Sequence, residues 1–414
     1  MMNNHIVKRV LTLVSGTLGG QIITIASMVI LTRLYSPEDF GVYSSFSSLA
    51  SILIPISTLC LTLSIFLEEK DENINKIYSL VSYLSVFSLF SLYFIIYLIK
   101  YIFNLDIEII KNLGDLIYLI PICVFIGALQ QNIYQLSLKK ERFYKISKSN
   151  IYSALISNLY KIITGFFSFP GINLIIGYIL MYIYQFFYLS YSGSKIQYSL
   201  GKTDAKFLLY KYKDLVFFRT PQVFINTLSE FLPIYFLITY YGAAQAGFYS
   251  LARSVLAAPS GLIGKAITDA FLPKFSEYKI KEKNINTLLL KSLFVTLFFS
   301  IIAYLPFIIF GEYIFSVIFG SRWKEAGALS SVMSFWLIAT LTTRPIIAAI
   351  TIKNLQKQFM FFEIVFFTLK FSLLYWGVNK LSSYIDLILY FSILNLVSYM
   401  ILSFICFYFN GVKK

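Results

Sequence analysis

Twelve runs of about 20 mostly apolar residues, each bounded by charge, divide this 414-residue chain. A helix needs a run of that length to cross about 30 Å of hydrocarbon at about 1.5 Å per residue. The runs fall near 10–32, 41–67, 77–99, 114–136, 150–168, 172–191, 215–240, 247–272, 288–310, 326–350, 359–378 and 385–409. The clearest is 77–99, and 150–168, with its Asn and Lys, is the most polar. Composition agrees, with 58% apolar and 13% charged residues, against about 45–50% and about 25% in soluble domains. With 32 Tyr and 41 Phe but only 20 Gly, 10 Pro and 3 Cys, the chain is not disordered, collagenous or disulfide-built. The first run follows Lys8 and Arg9 and exceeds the about 7–15 residues of a signal-peptide core, so it reads as a span.

Lysines and arginines set the orientation. With an even number of spans both termini share one side, and that side holds 22 of the 35 cations, the opposite loops six and the spans seven. Both termini are therefore expected in the cytoplasm. The net charge of +15 is then topology signal and attraction to anionic lipid, and no nucleic-acid partner is implied. No loop is long enough to form a domain; the connections at 100–113 and 311–325 are the longest on the opposite side. Cys60, Cys123 and Cys406 each sit within an apolar run, as small apolar side chains do. The only histidine, His5, lies in the polar N-terminal stub, which removes His-based proton relays, Ser-His-Asp catalysis and most zinc chemistry. No metal site, cofactor or nucleotide-binding P-loop is expected.

The chain repeats itself once. Tyr35, Gly41, Tyr43 and Ser44 recur as Tyr241, Gly247, Tyr249 and Ser250, at a constant offset of 206 residues and between equivalent spans. Six spans separate the copies, so the halves share an orientation. The expected fold is an all-α polytopic membrane protein of about 12 transmembrane helices, in two parallel six-helix bundles around a central cavity. The bundles would be 1–191 and 215–414, joined by the lysine-rich cytoplasmic linker 192–214. Within the repeat, Ser36-Pro37-Glu38-Asp39 reads as a helix start, with Ser36 as N-cap and the carboxylates at the positive dipole end.

Ionisable groups inside spans cost about 2.5–3.5 kcal/mol each on insertion scales and need a partner or a watery cavity. Beyond the two residues at each span end, seven cations, Lys161, Arg219, Arg253, Lys265, Lys291, Arg344 and Lys370, face three acids, Glu230, Asp269 and Glu363. Arg219 and Asp269 are equally far from the turn near Ala244 and would lie level; Arg344 and Glu363 flank the turn near Asn354 in the same way. Both pairs equally fit plain structural bridges. Glu230 and Arg253 lie deeper and meet only if their long side chains lean together. Lys161, Lys265 and Lys370 have no evident partner in the sequence, and Lys291 is near enough to a helix end to snorkel. A cation excess suits an anion such as phosphate or pyrophosphate, which Arg grips bidentately and Lys meets as a point charge. Tyr152, Tyr160, Tyr178, Tyr182, Tyr184, Tyr235 and Tyr249 offer faces and hydroxyls for sugars, and equally for packing or an interfacial belt.

The segment Leu31-Thr32-Arg33-Leu34-Tyr35-Ser36-Pro37-Glu38-Asp39-Phe40-Gly41-Val42-Tyr43-Ser44 closely resembles the hallmark after the first span of bacterial polysaccharide transporters. These are the O-antigen and capsule repeat-unit flippases of the multidrug/oligosaccharidyl-lipid/polysaccharide exporter superfamily. The resemblance implies a V-shaped pair of bundles with a cationic cavity, and translocation of undecaprenyl-pyrophosphate-linked oligosaccharide across the bacterial inner membrane by alternating access. Relatives often carry an Arg/Glu-type pair near the end of the second span. Here Leu61-Thr62-Leu63-Ser64 is uncharged and acids appear only at Glu68 and Glu69, so a role for that pair does not carry over. Twelve spans also differ from the lipid II flippase branch, which typically has fourteen.

On this reading Arg219, Arg253, Lys265, Arg344, Lys161 and Lys370 line the site, and Glu230, Asp269 and Glu363 are charge partners that release the cations as the anion binds. A proton or sodium gradient, the membrane potential or consumption of product would drive the cycle. Expected partners are the lipid-linked oligosaccharide, membrane lipids and the polysaccharide polymerase machinery. Two other functions stay open. A multidrug/cation antiporter of the same superfamily would need an acid-rich cavity, and a membrane glycan polymerase or ligase usually carries a long periplasmic loop.

Overall fold

The computed structural model describes residues 2–103, 107–167, 170–191, 200–280, 285–352 and 355–408. Every regular element among them is helical, as the apolar runs require, and none is a strand. Two compact units divide the chain, residues 1–231 and 232–414.

The first unit holds α1 (Met2–Leu34), α2 (Pro37–Ser57), α3 (Asp71–Tyr97), α4 (Glu108–Leu113), α5 (Leu119–Lys139), α6 (Phe143–Thr164), α7 (Pro170–Tyr191), α8 (Lys202–Lys211) and the start of α9 (Thr220–Tyr240). Helix α1 packs on α6, α6 on α7, α7 on α5 and α2, and α3 on α5. The second unit holds the end of α9 with α10 (Ala243–Ile280), α11 (Ile285–Phe319), α12 (Lys324–Thr342), α13 (Arg344–Ile352), α14 (Gln356–Lys380) and α15 (Tyr384–Tyr408). Here α12 is central, packing on α10, α11 and α15.

Ten stretches among the described residues are long and apolar enough to cross a membrane. Helices α6 and α10 occupy the other two expected positions. The polarity of α6 has a structural cause: Ser147, Ser149, Ser153, Ser157, Asn158 and Lys161 are all buried, on a helix packed between α1 and α7. The pattern extends through both units. Phe87, Phe90, Phe94, Phe294, Phe298 and Phe404 are exposed, while Ser79, Ser137, Ser292, Ser330, Ser334 and Ser392 are buried. A protein in water would hide the phenylalanines. In lipid the exterior costs nothing, and small residues in helix seams allow close packing. At Gly327 of α12 a Cβ would stand 2.5 Å from the Gly311 carbonyl of α11 and 2.6 Å from Glu312 Cα, so only glycine fits this crossing.

The helix start read at Ser36 is present. Its hydroxyl accepts from the Asp39 amide at 3.2 Å, the Asp39 carboxylate accepts from the Ser36 amide at 2.9 Å, and Pro37 opens α2. The repeat reappears in the helix boundaries: α1 ends at Leu34 and α2 begins at Pro37, while α9 ends at Tyr240 and α10 begins at Ala243.

Two runs expected as single spans are broken. The run at 41–67 ends as an α-helix at Ser57; Pro55, which lacks an N–H, and the left-handed residues Leu59 (φ 49°) and Cys60 (φ 52°) interrupt it, and a 3₁₀ segment Leu61–Leu67 follows. The run at 326–350 divides at Thr343 into α12 and α13, because Pro345 cannot donate to the ladder and would clash with the preceding turn. The three cysteines are free and buried.

Candidate functional site

The polar interior of the first unit centres on Lys161. It stands one turn before the end of α6 and is 8% exposed. Its aliphatic stem crosses α7 at Gly177, where a Cβ would come within 2.6 Å of Lys161 Cγ and 2.7 Å of Cε. Glycine makes that passage. The ammonium lies 5.1 Å from the centroid of the Tyr43 ring on α2, close enough for a cation–π attraction. Tyr43 meets Tyr178 edge-on at 5.9 Å, and the hydroxyls of Tyr178 and Tyr182 are 2.9 Å apart. Tyr35 donates to the Lys161 carbonyl at 2.7 Å. Among the described residues no carboxylate lies within ion-pair distance of Lys161.

The same face of α7 continues through Gln185, one turn beyond Tyr182. Gln185 accepts from Gln130 of α5 at 2.7 Å and donates to Ser153 of α6 at 2.9 Å. Donors and acceptors therefore follow one another along the interior of this unit, on the side chains that make α6 so polar.

A second cluster caps the end of the unit. Glu68, 5% exposed, follows the 3₁₀ segment and accepts from Lys211 and Tyr212, which end and follow α8, and from Asn73 at 3.0 Å. Burial pushes its carboxyl up, but bonds from Lys211, Tyr212 and Asn73 outweigh burial and hold it below the usual carboxylate range. Tyr212 is pushed up to about 12, by burial first and then by its bond to Glu68. Lys76 fastens α8 from the other side through Asp204 at 3.2 Å. Of the remaining predicted residues in this unit, Arg219 is exposed and donates to Gln222 at 2.9 Å, and Glu230 is exposed on α9.

In the second unit Arg344 opens α13, half-buried. Its Nε is buried and has no hydrogen-bond partner among the described residues. The guanidinium stem lies against Gly264 of α10, whose Cβ position is 3.3 Å from that Nε. Nearby, Tyr304 of α11 donates to the Leu256 carbonyl at 3.0 Å and shares a hydrogen bond with Ser260. The bridge expected between Arg344 and Glu363 does not form, since among the described residues no carboxylate reaches Arg344. Glu363 and Lys370 are half-buried two turns apart on α14, Arg253 is half-buried on α10, and Lys291 is exposed. The side chains of Lys265 and Asp269 lie outside the described residues.

Sequence alone singled out Lys161, Tyr178 and Tyr182 separately, and the structure gathers them. It missed Tyr43 as the partner of Lys161 and the whole Glu68 cluster. The acid at Glu68 was visible, but nothing in the sequence pairs it with a lysine beyond five intervening helices.

Comparison with known proteins adds the lineage. The family model described as "Polysaccharide biosynthesis protein" matches residues 30–328. The capsular polysaccharide biosynthesis protein CapF of Staphylococcus aureus is 24% identical over 331 residues, covering 76% of this chain and 78% of that protein. Among solved structures, the lipid II flippase MurJ in an inward closed conformation superposes with a TM-score of 0.73 at 16% identity, covering 94% of this chain and 86% of MurJ. An inward-facing multidrug resistance MATE family transporter of the MOP superfamily gives 0.58 at 12% identity, covering 96% and 94%. At such identities these two structures share the fold, and the family match, spanning more than half of the sequence, places the chain by descent. The chain belongs to the polysaccharide biosynthesis protein family.

Proposed function

We propose that this protein is a flippase that carries undecaprenyl-pyrophosphate-linked oligosaccharide, an O-antigen or capsule repeat unit, across the bacterial inner membrane by alternating access. One observation supports the anionic cargo above the others: two intramembrane cations, Lys161 and Arg344, stand without acids among the described residues. Lys161 is buried with no carboxylate, and Arg344 keeps a buried guanidinium nitrogen unpartnered. Such groups are costly in hydrocarbon unless a ligand or another state of the protein supplies what they lack. Pyrophosphate fits Arg344 because a guanidinium offers a planar fork to two oxygens. In this reading Arg219, Arg253, Lys265 and Lys370 also meet the headgroup in turn, and Glu230, Asp269 and Glu363 hold cations between cargoes. The halves are 1–191 and 215–414, with 192–214 as a cytoplasmic linker and both termini in the cytoplasm.

The multidrug antiporter shares this fold, so fold likeness does not separate the two. The charge balance does: an organic cation needs acids, and beyond the two residues at each span end the spans hold seven cations against three acids. Glycan polymerisation or ligation is disfavoured by the short loops. The test is Arg253→Glu in a strain whose surface glycan depends on this gene. Surface glycan should be lost while the protein remains inserted at normal level, with lipid-linked repeat units accumulating inside. Retained surface glycan removes Arg253 from the site, and a wild-type gene that restores no glycan to a deletion strain overturns the flippase reading.

A further inference from the structure

We propose that Lys161 is the proton carrier of this transporter: its amine binds one proton and gives it up once per transport cycle, so that the cation of the first unit is present in one state of the cycle and absent in the other. The proposal rests on the flippase reading for its role in transport, but the proton exchange itself stands on the geometry of the first unit.

Three features carry it. Lys161 is 8% exposed and among the described residues no carboxylate is in reach, so no ion pair fixes it in the charged form. A structural lysine in a membrane interior is normally paired with an acid or reaches out to the interface; this one does neither. The groups facing it then suit both forms. From α2 it meets the Tyr43 ring at 5.1 Å, a favourable neighbour for a cation and a harmless one for an amine. From α7 come Tyr178 and Tyr182, whose hydroxyls bond to each other at 2.9 Å. From the end of α1 comes Tyr35, which holds the Lys161 backbone carbonyl, from α5 the buried Cys123 beside the tyrosine cluster, and from α6 itself Tyr160. The acids nearest in the chain to Tyr43 are Glu38, exposed, and Asp39, engaged by the Ser36 amide at 2.9 Å. Among the described residues, the groups that face the amine are therefore neutral.

The third feature is a route. Lys161 sits one turn from the end of α6, an end that on the flippase reading lies toward one face of the membrane. Toward the other face, Tyr178, Tyr182 and Gln185 follow at successive turns of α7, with Gln130, Ser153 and Asn150 bonded to Gln185 at 2.7, 2.9 and 3.4 Å. The released proton passes to these hydroxyls and amides or to the near face, and the amine is left neutral. Gly177 is what lets the stem cross α7 and bring the amine to the tyrosines.

The experiment is a difference titration of the purified full-length protein in lipid nanodiscs, requiring no substrate. Between about pH 6 and pH 9 the wild type should release about one proton per chain more than Lys161→Met, and the same excess over Lys161→Arg, whose guanidinium holds its proton. Should the methionine variant fail to fold, the arginine variant decides alone, since it keeps the charge and the aromatic contact. Superimposable curves for wild type and Lys161→Arg overturn the proposal. In cells both variants should lose surface glycan by at least tenfold at normal expression. Glycan retained by Lys161→Arg also overturns the proposal while leaving the flippase reading intact; failure of the wild-type gene to restore glycan sinks that reading, and the titration still decides the proton exchange.

Discussion

Replacing Glu68 by glutamine should loosen the attachment of α8 by an amount that the contacts allow to be worked out. The carboxylate accepts from Lys211, Tyr212 and Asn73. Glutamine keeps an acceptor oxygen in place, so the bonds weaken from charge-assisted to neutral rather than disappear. The Lys211 side chain is 39% exposed and regains water, which limits that loss to the about 0.2–1 kcal/mol of an exposed pair. Tyr212 is 6% exposed and cannot regain water, so its weakened bond costs about 0.5–1 kcal/mol. The total is about 1–2 kcal/mol. At about 2–4 °C per kcal/mol for a unit of this size, the apparent melting temperature in detergent should fall by about 2–8 °C. Acidity supplies a second reading. The Glu68 carboxyl lies below its ordinary value in the folded chain, so its contribution is complete above the unfolded carboxylate value of about 4.3 and is lost as pH falls through the folded one. The gap between wild type and Glu68→Gln should stay constant from about pH 7 to pH 5 and close only in stronger acid. An unchanged melting temperature at neutral pH, or a gap that persists in strong acid, would refute the reasoning.

Three further outcomes are expected. Arg344→Met should abolish surface glycan yet leave the melting temperature unchanged or about 1–3 °C higher, because the buried Nε has no partner to lose; a marked fall would make Arg344 a structural residue. Gly327→Ala should destabilise by about 1–3 kcal/mol, read as a lower melting temperature, since the clash is with the backbone at Gly311 and Glu312 and no rotamer relieves it; the same change at Gly320, where nothing lies within 4 Å of the new Cβ, removes contact from the comparison and tests its φ of 104° alone. Reporter fusions within 192–214 and at the C-terminus should be active only with a cytoplasmic reporter, and fusions near Arg322 only with a periplasmic one; the reverse would overturn the orientation drawn from the lysines.

What could be read from the sequence follows the range of the force involved. The Ser36 cap and the turn that precedes it act within four residues, and the hydrophobic runs act within a single helix, so both are visible in the residue order. The breaks at Pro55 and Pro345 are equally local, and were hidden only because apolar residues continue on either side of each. Distance along the chain hides the rest. Tyr43 and Lys161 meet because α2 and α6 both pack on α7, and Glu68 meets Lys211 because α8 returns to α3. Counting cations against acids left Lys161 without a partner, but it paired Arg344 with Glu363, from their similar distances to a turn. That rule assumes two straight helices meeting at the turn. The break at Thr343 makes Arg344 the first residue of a separate helix, turned against Gly264 of α10 instead of toward α14. The same proline that broke the span thus left the buried Nε of Arg344 without a hydrogen-bond partner among the described residues. A buried guanidinium nitrogen without a partner is costly unless something else repays it, which is why the fate of Arg344 on mutation distinguishes a binding residue from a structural one.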